Sequence, residues 1–326
     1  HQGQLSGVPQ PGGCKAPATF HTSCLKLPMP ASILFAQHGW ADTHDRIADL
    51  AERIAPPAAI RIAPNLGYMR TWLRIEPLIA DVENIATATL AQFPDLPVSV
   101  IGHSMGGLIW IEILSRHPEW WPRMTAFVLL GSPVDGSHYS RMADPMGLGV
   151  GIARDLGISR TDKAERLAQA MPMLSIAGAI NCNGDHAVPL DATTFEGDTD
   201  VVVHGVDHPG LLDSPHVDAV ARHFLARRTP RPLPPSPVIR TLRSVAGMTA
   251  GDRAKYCGAR LELMFEDGHQ LLTIDSRVTR SHVFLVDHEH HCRFAGYVGP
   301  IHRGDLWRAI ATLREEYADR LLGPSP

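Results

Sequence analysis

The stretch VSVIGHSMGGLIWIEIL, Val98–Leu114, decides how this 326-residue chain folds. VSVIG is a β-branched apolar run of strand character, and the following LIWIEIL has the apolar spacing of a packed helix. Gly102-His103-Ser104-Met105-Gly106 therefore sits at a strand–turn–helix junction, the context in which G-x-S-x-G forms a nucleophile elbow. Glycine is required at 102 and 106 because strand and helix backbones pass too close there for side chains. The turn lifts Ser104 Oγ out of the sheet and sets the Met105 N–H beside the atom it would attack. A G-x-S-x-G at an ordinary turn would lack the flanking strand and helix.

Working outward from the elbow, short apolar runs alternate with segments of helical period from Ala31 to about Arg228. The six strand-like runs are residues 32–37, 58–64, 98–102, 126–131, 173–178 and 201–205. Strands alternating with helices imply a mainly parallel sheet covered on both faces. Ser214 as N-cap, with Pro215 at the first helical position, opens the last of the intervening helices. The alternation fails between about Pro133 and Met171, where short helical pieces are broken by glycines, so residues 133–171 are the candidate lid. TPRPLPPSP, residues 229–237, holds five prolines in nine residues and reads as a stiff linker. Residues 238–326 differ in character: two hairpins, the first with an Asp-Gly turn, and a helix with apolar residues at 306, 310, 313, 317 and 321. The expected organisation is thus a catalytic body over 29–228 and a small α+β appendage over 238–326, whose partner the sequence does not name.

A serine hydroxyl needs a base to take its proton and an acceptor to hold that base in the right tautomer. For this elbow the chain order is serine, acid, histidine. Asp185 lies in the loop after the fifth strand and His208 in the loop after the sixth, on the same edge of a parallel sheet as Ser104. His204 and His216 remain alternatives for the base, and Asp135, after the fourth strand, for the acid. An oxyanion formed at the attacked carbonyl needs two fixed donors. The Met105 N–H is one; the loop AQHGWADTHD after the first strand offers Trp40 N–H as the other, with its indole lining an acyl pocket. His38, Gly39 and His103 are further candidates to line that pocket.

With HGW after the first strand, GHSMGG at the elbow, GD-x-x-VP at the acid loop and H-x-x-LL at the histidine loop, the chain resembles the serine α/β-hydrolase superfamily in its lipase/esterase-like branch. The phrases APNLGYMRTWLRIEPLI and IGHSMGGLIWIEIL are similar to a bacterial subgroup of lipase-like hydrolases. The resemblance spans about residues 31–228 and implies a minimal α/β-hydrolase fold of six mostly parallel strands. It implies a serine hydrolase that uses neither metal nor organic cofactor. Cleavage of a small ester or lipid-like substrate through a Ser104 acyl-enzyme is the leading expectation. Thioester, amide or carbon–carbon bond cleavage on the same triad is the alternative, and a non-catalytic binding module comes third.

Composition narrows the rest. With 44% hydrophobic and 20% charged residues and a formal charge of -4, the chain can fill a large core and lacks the basic balance of a nucleic-acid binder. No apolar run approaches the roughly 20 residues of a membrane-spanning helix. The five cysteines are odd in number and without C-x-x-C spacing, so neither a disulfide framework nor a zinc site is expected, and a cytoplasmic location fits best. Residues 1–28 precede Met29 and lack a signal-peptide pattern; they are expected to be disordered or a non-native leader. Asp287-His288-Glu289-His290-His291 is read as a solvated hairpin tip rather than a metal site, because successive strand residues point in alternating directions.

Overall fold

The computed structural model describes residues 31–136, 151–180, 184–185, 187–226 and 235–323. The expected leader, the centre of the candidate lid (137–150) and most of the proline string (229–234) lie outside the described residues.

Six strands, β1 (Ser32–Gln37), β2 (Ala59–Ile62), β3 (Val98–His103), β4 (Met124–Leu130), β5 (Met173–Ala179) and β6 (Thr199–His204), form one sheet in the order β2-β1-β3-β4-β5-β6. Every neighbouring pair is parallel. The chain builds outward from β1 in one direction to β2 and then returns to build β3–β6 in the other. Connections therefore diverge between β1 and β3, and open parallel sheets bind ligands in the crevice outside such a switch point. The loops beyond β1 and β3 carry Trp40 and Ser104.

Central strands of this sheet are apolar on both faces because both are covered. On one face lie α2 (Ile75–Gln92), α3 (Met105–Arg116) and the later α5 (Thr161–Ala170), packing Leu78, Val82, Leu108, Ile111 and Leu167 against Ile33, Phe35 and Phe127. On the other lie α1 (His44–Ile54) and α6 (Pro215–Leu225), packing Ile47, Leu50, Val217 and Ala221 against Leu34, Ile101 and Val128. Ser214 caps α6 through its side chain, as its position before Pro215 requires.

The described flanks of the candidate lid are fastened to the body. In α4 (Ile152–Leu156), Asp155 accepts from the Arg74 guanidinium and from the Ile75 N–H at 2.9 Å, which satisfies a free donor at the start of α2. Arg160, buried, pairs with Glu112 of α3 at 2.9 Å.

A second sheet, antiparallel and five-stranded, has the order β7-β11-β10-β9-β8, with β7 (Thr249–Ala250), β8 (Arg260–Met264), β9 (Gln270–Ile274), β10 (Ser281–Val286) and β11 (Cys292–Val298). Both expected hairpins are present, β8–β9 and β10–β11. Two-residue alternation splits this sheet's side chains between two cores. Leu263, Leu271, Val283 and Leu285 face α7 (Pro235–Arg243) and α8 (Arg303–Glu316), meeting Val238, Leu242, Leu306, Ile310 and Leu313. Leu261, Met264, Leu272, Phe284 and Val286 join the core formed by α1, α6 and the large sheet. Helix α7 starts at Pro235, inside the proline-rich string, because proline's fixed φ and missing N–H suit a first helical turn.

One sequence expectation is corrected: Cys257 is disulfide-bonded. Spacing gave no sign of it because pairing depends on approach in space, not on local pattern. Cys292 is a free thiol. Among the described residues no helix is long and apolar enough to cross a membrane.

Candidate active site

Ser104 occupies the turn between β3 and α3 with φ 55° and ψ -125°, a backbone conformation that costs a non-glycine residue roughly 1–3 kcal/mol. Two close approaches enforce the turn. A Cβ on Gly102 would lie 2.5 Å from the Gly107 Cα, and one on Gly106 would lie 2.2 Å from the Gln37 carbonyl oxygen. The Ser104 N–H donates to the Leu130 carbonyl at 2.8 Å, tying the elbow to the end of β4.

The loop after β1 lies directly over the elbow. A Cβ on Gly39 would meet the Ser104 Cβ at 2.8 Å and the Met105 nitrogen at 3.3 Å, so only glycine lets the two backbones come this close. The Ala41 N–H donates to Thr71 Oγ1 at 3.0 Å, and the Leu66 N–H donates to His38 Nε2 at 3.0 Å. His38 Nδ1–H in turn donates to the Gly39 carbonyl at 3.0 Å. Both ring nitrogens of His38 are thereby engaged by backbone, and burial lowers its pKa, so the ring is a neutral brace for the loop. Segment 65–72 thus holds the turn that presents Trp40.

Asp185 and His208 meet at the C-terminal edge of β5 and β6. His208 Nδ1–H donates to Asp185 Oδ2 at 2.7 Å. The other carboxylate oxygen accepts from the N–H groups of Ala187 and Val188, at 2.9 and 2.7 Å. With Oδ1 held by two backbone donors, Oδ2 is left for the imidazole, which fixes the tautomer whose Nε2 carries the lone pair. Gly131, at φ 54°, passes close by: a Cβ there would lie 2.9 Å from His208 Nδ1. This places the imidazole beside the end of β4, where the Leu130 carbonyl receives the Ser104 N–H.

The alternatives lie elsewhere. His204 packs edge-on to Tyr256, in the short helical turn between β7 and β8, 5.8 Å between ring centres, and burial lowers its pKa to about 4. His216 is also lowered by burial, beside the Leu322 backbone. His103 packs at a tilt of 38° to His208, ring centres 4.7 Å apart, and gives its Nε2–H to the His208 carbonyl at 3.2 Å. Burial, then the neighbouring His208, holds its pKa well below the usual imidazole range. Asp135 sits in the turn after β4, and the partner of His208 Nδ1 is Asp185.

Several neighbours of the site escaped the sequence reading. Trp72 contacts Trp40 at 4.4 Å between ring centres, and Tyr68, Met69, Trp72 and Leu73 expose apolar surface on that side. Arg46 and Arg53 of α1 donate to the carbonyls of Pro209 and Leu212, holding the loop that carries His208. Arg53 also pairs with Asp218 at 2.6 Å, which raises its pKa. The only sequence signal for these contacts was a pair of arginines seven residues, two turns, apart on α1. In the second sheet, ligand atoms of Asp287, Glu289 and His291 lie within 4.8 Å of one another. Asp287, however, already accepts from the N–H groups of Glu289 and His291 and from Arg293, so the buried carboxylate is saturated by a hairpin turn.

A family model described as serine aminopeptidase, S33, a hydrolase family, matches residues 63–177. No curated protein matches the chain. Among solved structures, Est1E from Butyrivibrio proteoclasticus is 16% identical, with TM-score 0.48, over 61% of this chain and 88% of that one. The Bacillus licheniformis lipase BlEst2 is 17% identical, with TM-score 0.42, over 57% and 87%. Proline iminopeptidase from Mycobacterium smegmatis is 14% identical, with TM-score 0.43, over 62% and 91%.

Proposed function

Because the chain belongs to the serine α/β-hydrolase superfamily, we propose that it hydrolyses carboxylic esters with Ser104 as nucleophile, His208 as general base and acid, and Asp185 orienting the histidine. The observation that carries this reading is the 2.7 Å Asp185–His208 hydrogen bond at the same sheet edge as a serine with φ 55°. The Ser104 hydroxyl proton passes to His208 Nε2 as Oγ bonds to the ester carbonyl carbon. The carbonyl oxygen becomes an oxyanion that accepts from the Met105 and Trp40 N–H groups, donors fixed before reaction and so free of reorganisation cost. Collapse breaks the carbon–oxygen bond to the alcohol, which leaves with the proton held on His208. Water then gives a proton to Nε2 as its oxygen bonds to the acyl carbon, and collapse breaks the bond to Ser104 Oγ, which takes that proton back from Nε2 as the acid leaves.

Ester over amide is supported by the apolar side chains of Met69, Trp72 and Leu73 beside Trp40, a surface suited to an acyl chain. Peptide or amide cleavage is the second reading, favoured by the aminopeptidase description of the matching family. Esters, thioesters and amides of matched acyl chains, assayed side by side, separate the two: we expect the esters to be turned over fastest, and faster amide cleavage overturns the ester assignment. The disulfide-bonded Cys257 supports an oxidising compartment over the cytoplasm.

A further inference from the structure

At the opposite end of the large sheet from Ser104 lies a cavity of about 810 Å³, a volume in the range of small-molecule sites. Thr125, Leu174 and Val201 line it from the starts of β4, β5 and β6, whereas Ser104, Asp185 and His208 follow strand ends. Parallel strands of this length separate the two ends by roughly 20 Å. The opposite wall comes from the second sheet, through Met264, Gly268 and Gln270. Leu174, Val201, Val220, Phe224 and Met264 make its interior predominantly apolar.

Three acceptors here, on Gln270, Asp198 and Asp200, have no donor, and His290 Nε2 also lacks a hydrogen-bond partner. Gln270, 1% exposed, donates through Nε2 to the Val202 carbonyl at 2.6 Å, which fixes the amide orientation and leaves Oε1 without a donor. Asp198 Oδ2 and Asp200 Oδ1 are buried acceptors, also without a hydrogen-bond donor. An unmet buried acceptor costs about 1–3 kcal/mol, and a carboxylate more. The stress is visible in Asp198, whose pKa burial and the neighbouring Asp200 push up to about 7. Across the chamber His290 Nε2 lies 3.6 Å from Asp200, too far for a hydrogen bond. An apolar chamber with several unmet acceptors is complementary to a molecule that brings N–H donors, positive charge and a hydrocarbon body.

We propose that the chamber between the two sheets is a binding site for a small amphipathic organic cation, an alkylammonium or alkylguanidinium, with its charged head at Asp198, Asp200 and Gln270. Its hydrocarbon part lies along Leu174, Val220 and Phe224. Affinity rises with pH through the range in which Asp198 loses its proton. Other titratable groups facing the chamber are Asp200, Glu266 and Asp267, with His223, His288 and His290.

Calorimetric titration of the full chain with n-octylammonium, n-octanol and octanoate tests this at pH 8 and pH 6. We expect octylammonium to bind at least roughly tenfold more tightly than octanol at pH 8, with octanoate weakest, and to lose affinity at pH 6. Asp198→Asn keeps the shape and removes a poorly solvated charge, so at pH 8 it should fold at least as stably as the parent. It should weaken octylammonium about tenfold while leaving octanol unchanged. Equal binding of octylammonium and octanol, or an unchanged octylammonium affinity in Asp198→Asn, overturns the proposal. Because the readout is binding away from Ser104, the result stands apart from that of the ester assay.

Discussion

Asp185 is the residue whose environment says most about the chemistry. Two backbone N–H groups on Oδ1 and the imidazole on Oδ2 leave the carboxylate satisfied and rigid, which is what an orienting group needs. Asp185→Asn retains the size but turns an acceptor into a donor at one position, favouring the tautomer with the proton on Nε2. The expected result is a fall in kcat on the order of 10⁴-fold with little change in KM, by the logic of the triad; a fall confined to KM would contradict the role given to Asp185. At this scale much could be read beforehand. Gly102 and Gly106 announced close backbone contact, and the contacts are at Gly107 and Gln37. His208 was favoured over His204 and His216 by its place in a loop, since His204 ends a strand and His216 opens a helix, but its contact with Asp185 is visible only in space.

Among the elements, β6 shows how a strand at the sheet edge is managed. Its free edge is met by Gln270, which donates to the Val202 carbonyl, and its last residue, His204, is buried against Tyr256. Both ring nitrogens of His204 lack partners, so the folded state holds it neutral with a pKa of about 4. The unfolded chain takes up a proton near 6.5. Above that pH both states are neutral and the full stability is present; between 6.5 and about 4 the unfolded state binds the extra proton, and stability falls as pH drops. One such proton gives a slope of about 1.4 kcal/mol per pH unit. Denaturant unfolding of His204→Phe from pH 7 to 4 should show a shallower acid decline than the parent, with His38, His103 and His216, also lowered by burial, contributing to what remains; parallel curves would contradict the assignment. The six strands were legible because each is a short β-rich run between helical periods. Helix α7 was not, because the prolines at 235 and 237 occupy a first turn where proline is tolerated, while Val238 and Leu242 show their purpose only against α8.

For the whole molecule, the small α+β C-terminal part expected from the sequence is present as a separate antiparallel sheet with helices, and what the sequence did not show is how it packs. A proline string and a change of pattern suggest an appendage, yet Leu261, Leu272, Phe284 and Val286 complete the core under α1 and α6. Alternation along those strands was visible, but which body covers each face depends on tertiary packing that a single strand does not encode. Joined this way, both sheets should melt as one unit: scanning calorimetry is expected to give a single transition, and two resolved transitions would contradict the shared core. The same packing creates the chamber that the Asp198 proposal concerns. The central claim, that Ser104 performs nucleophilic attack on an ester, is tested most directly by steady-state hydrolysis of p-nitrophenyl butyrate by the parent and by Ser104→Ala. The account predicts a loss in kcat on the order of 10⁶-fold with the fold retained; undiminished turnover in the variant would contradict it.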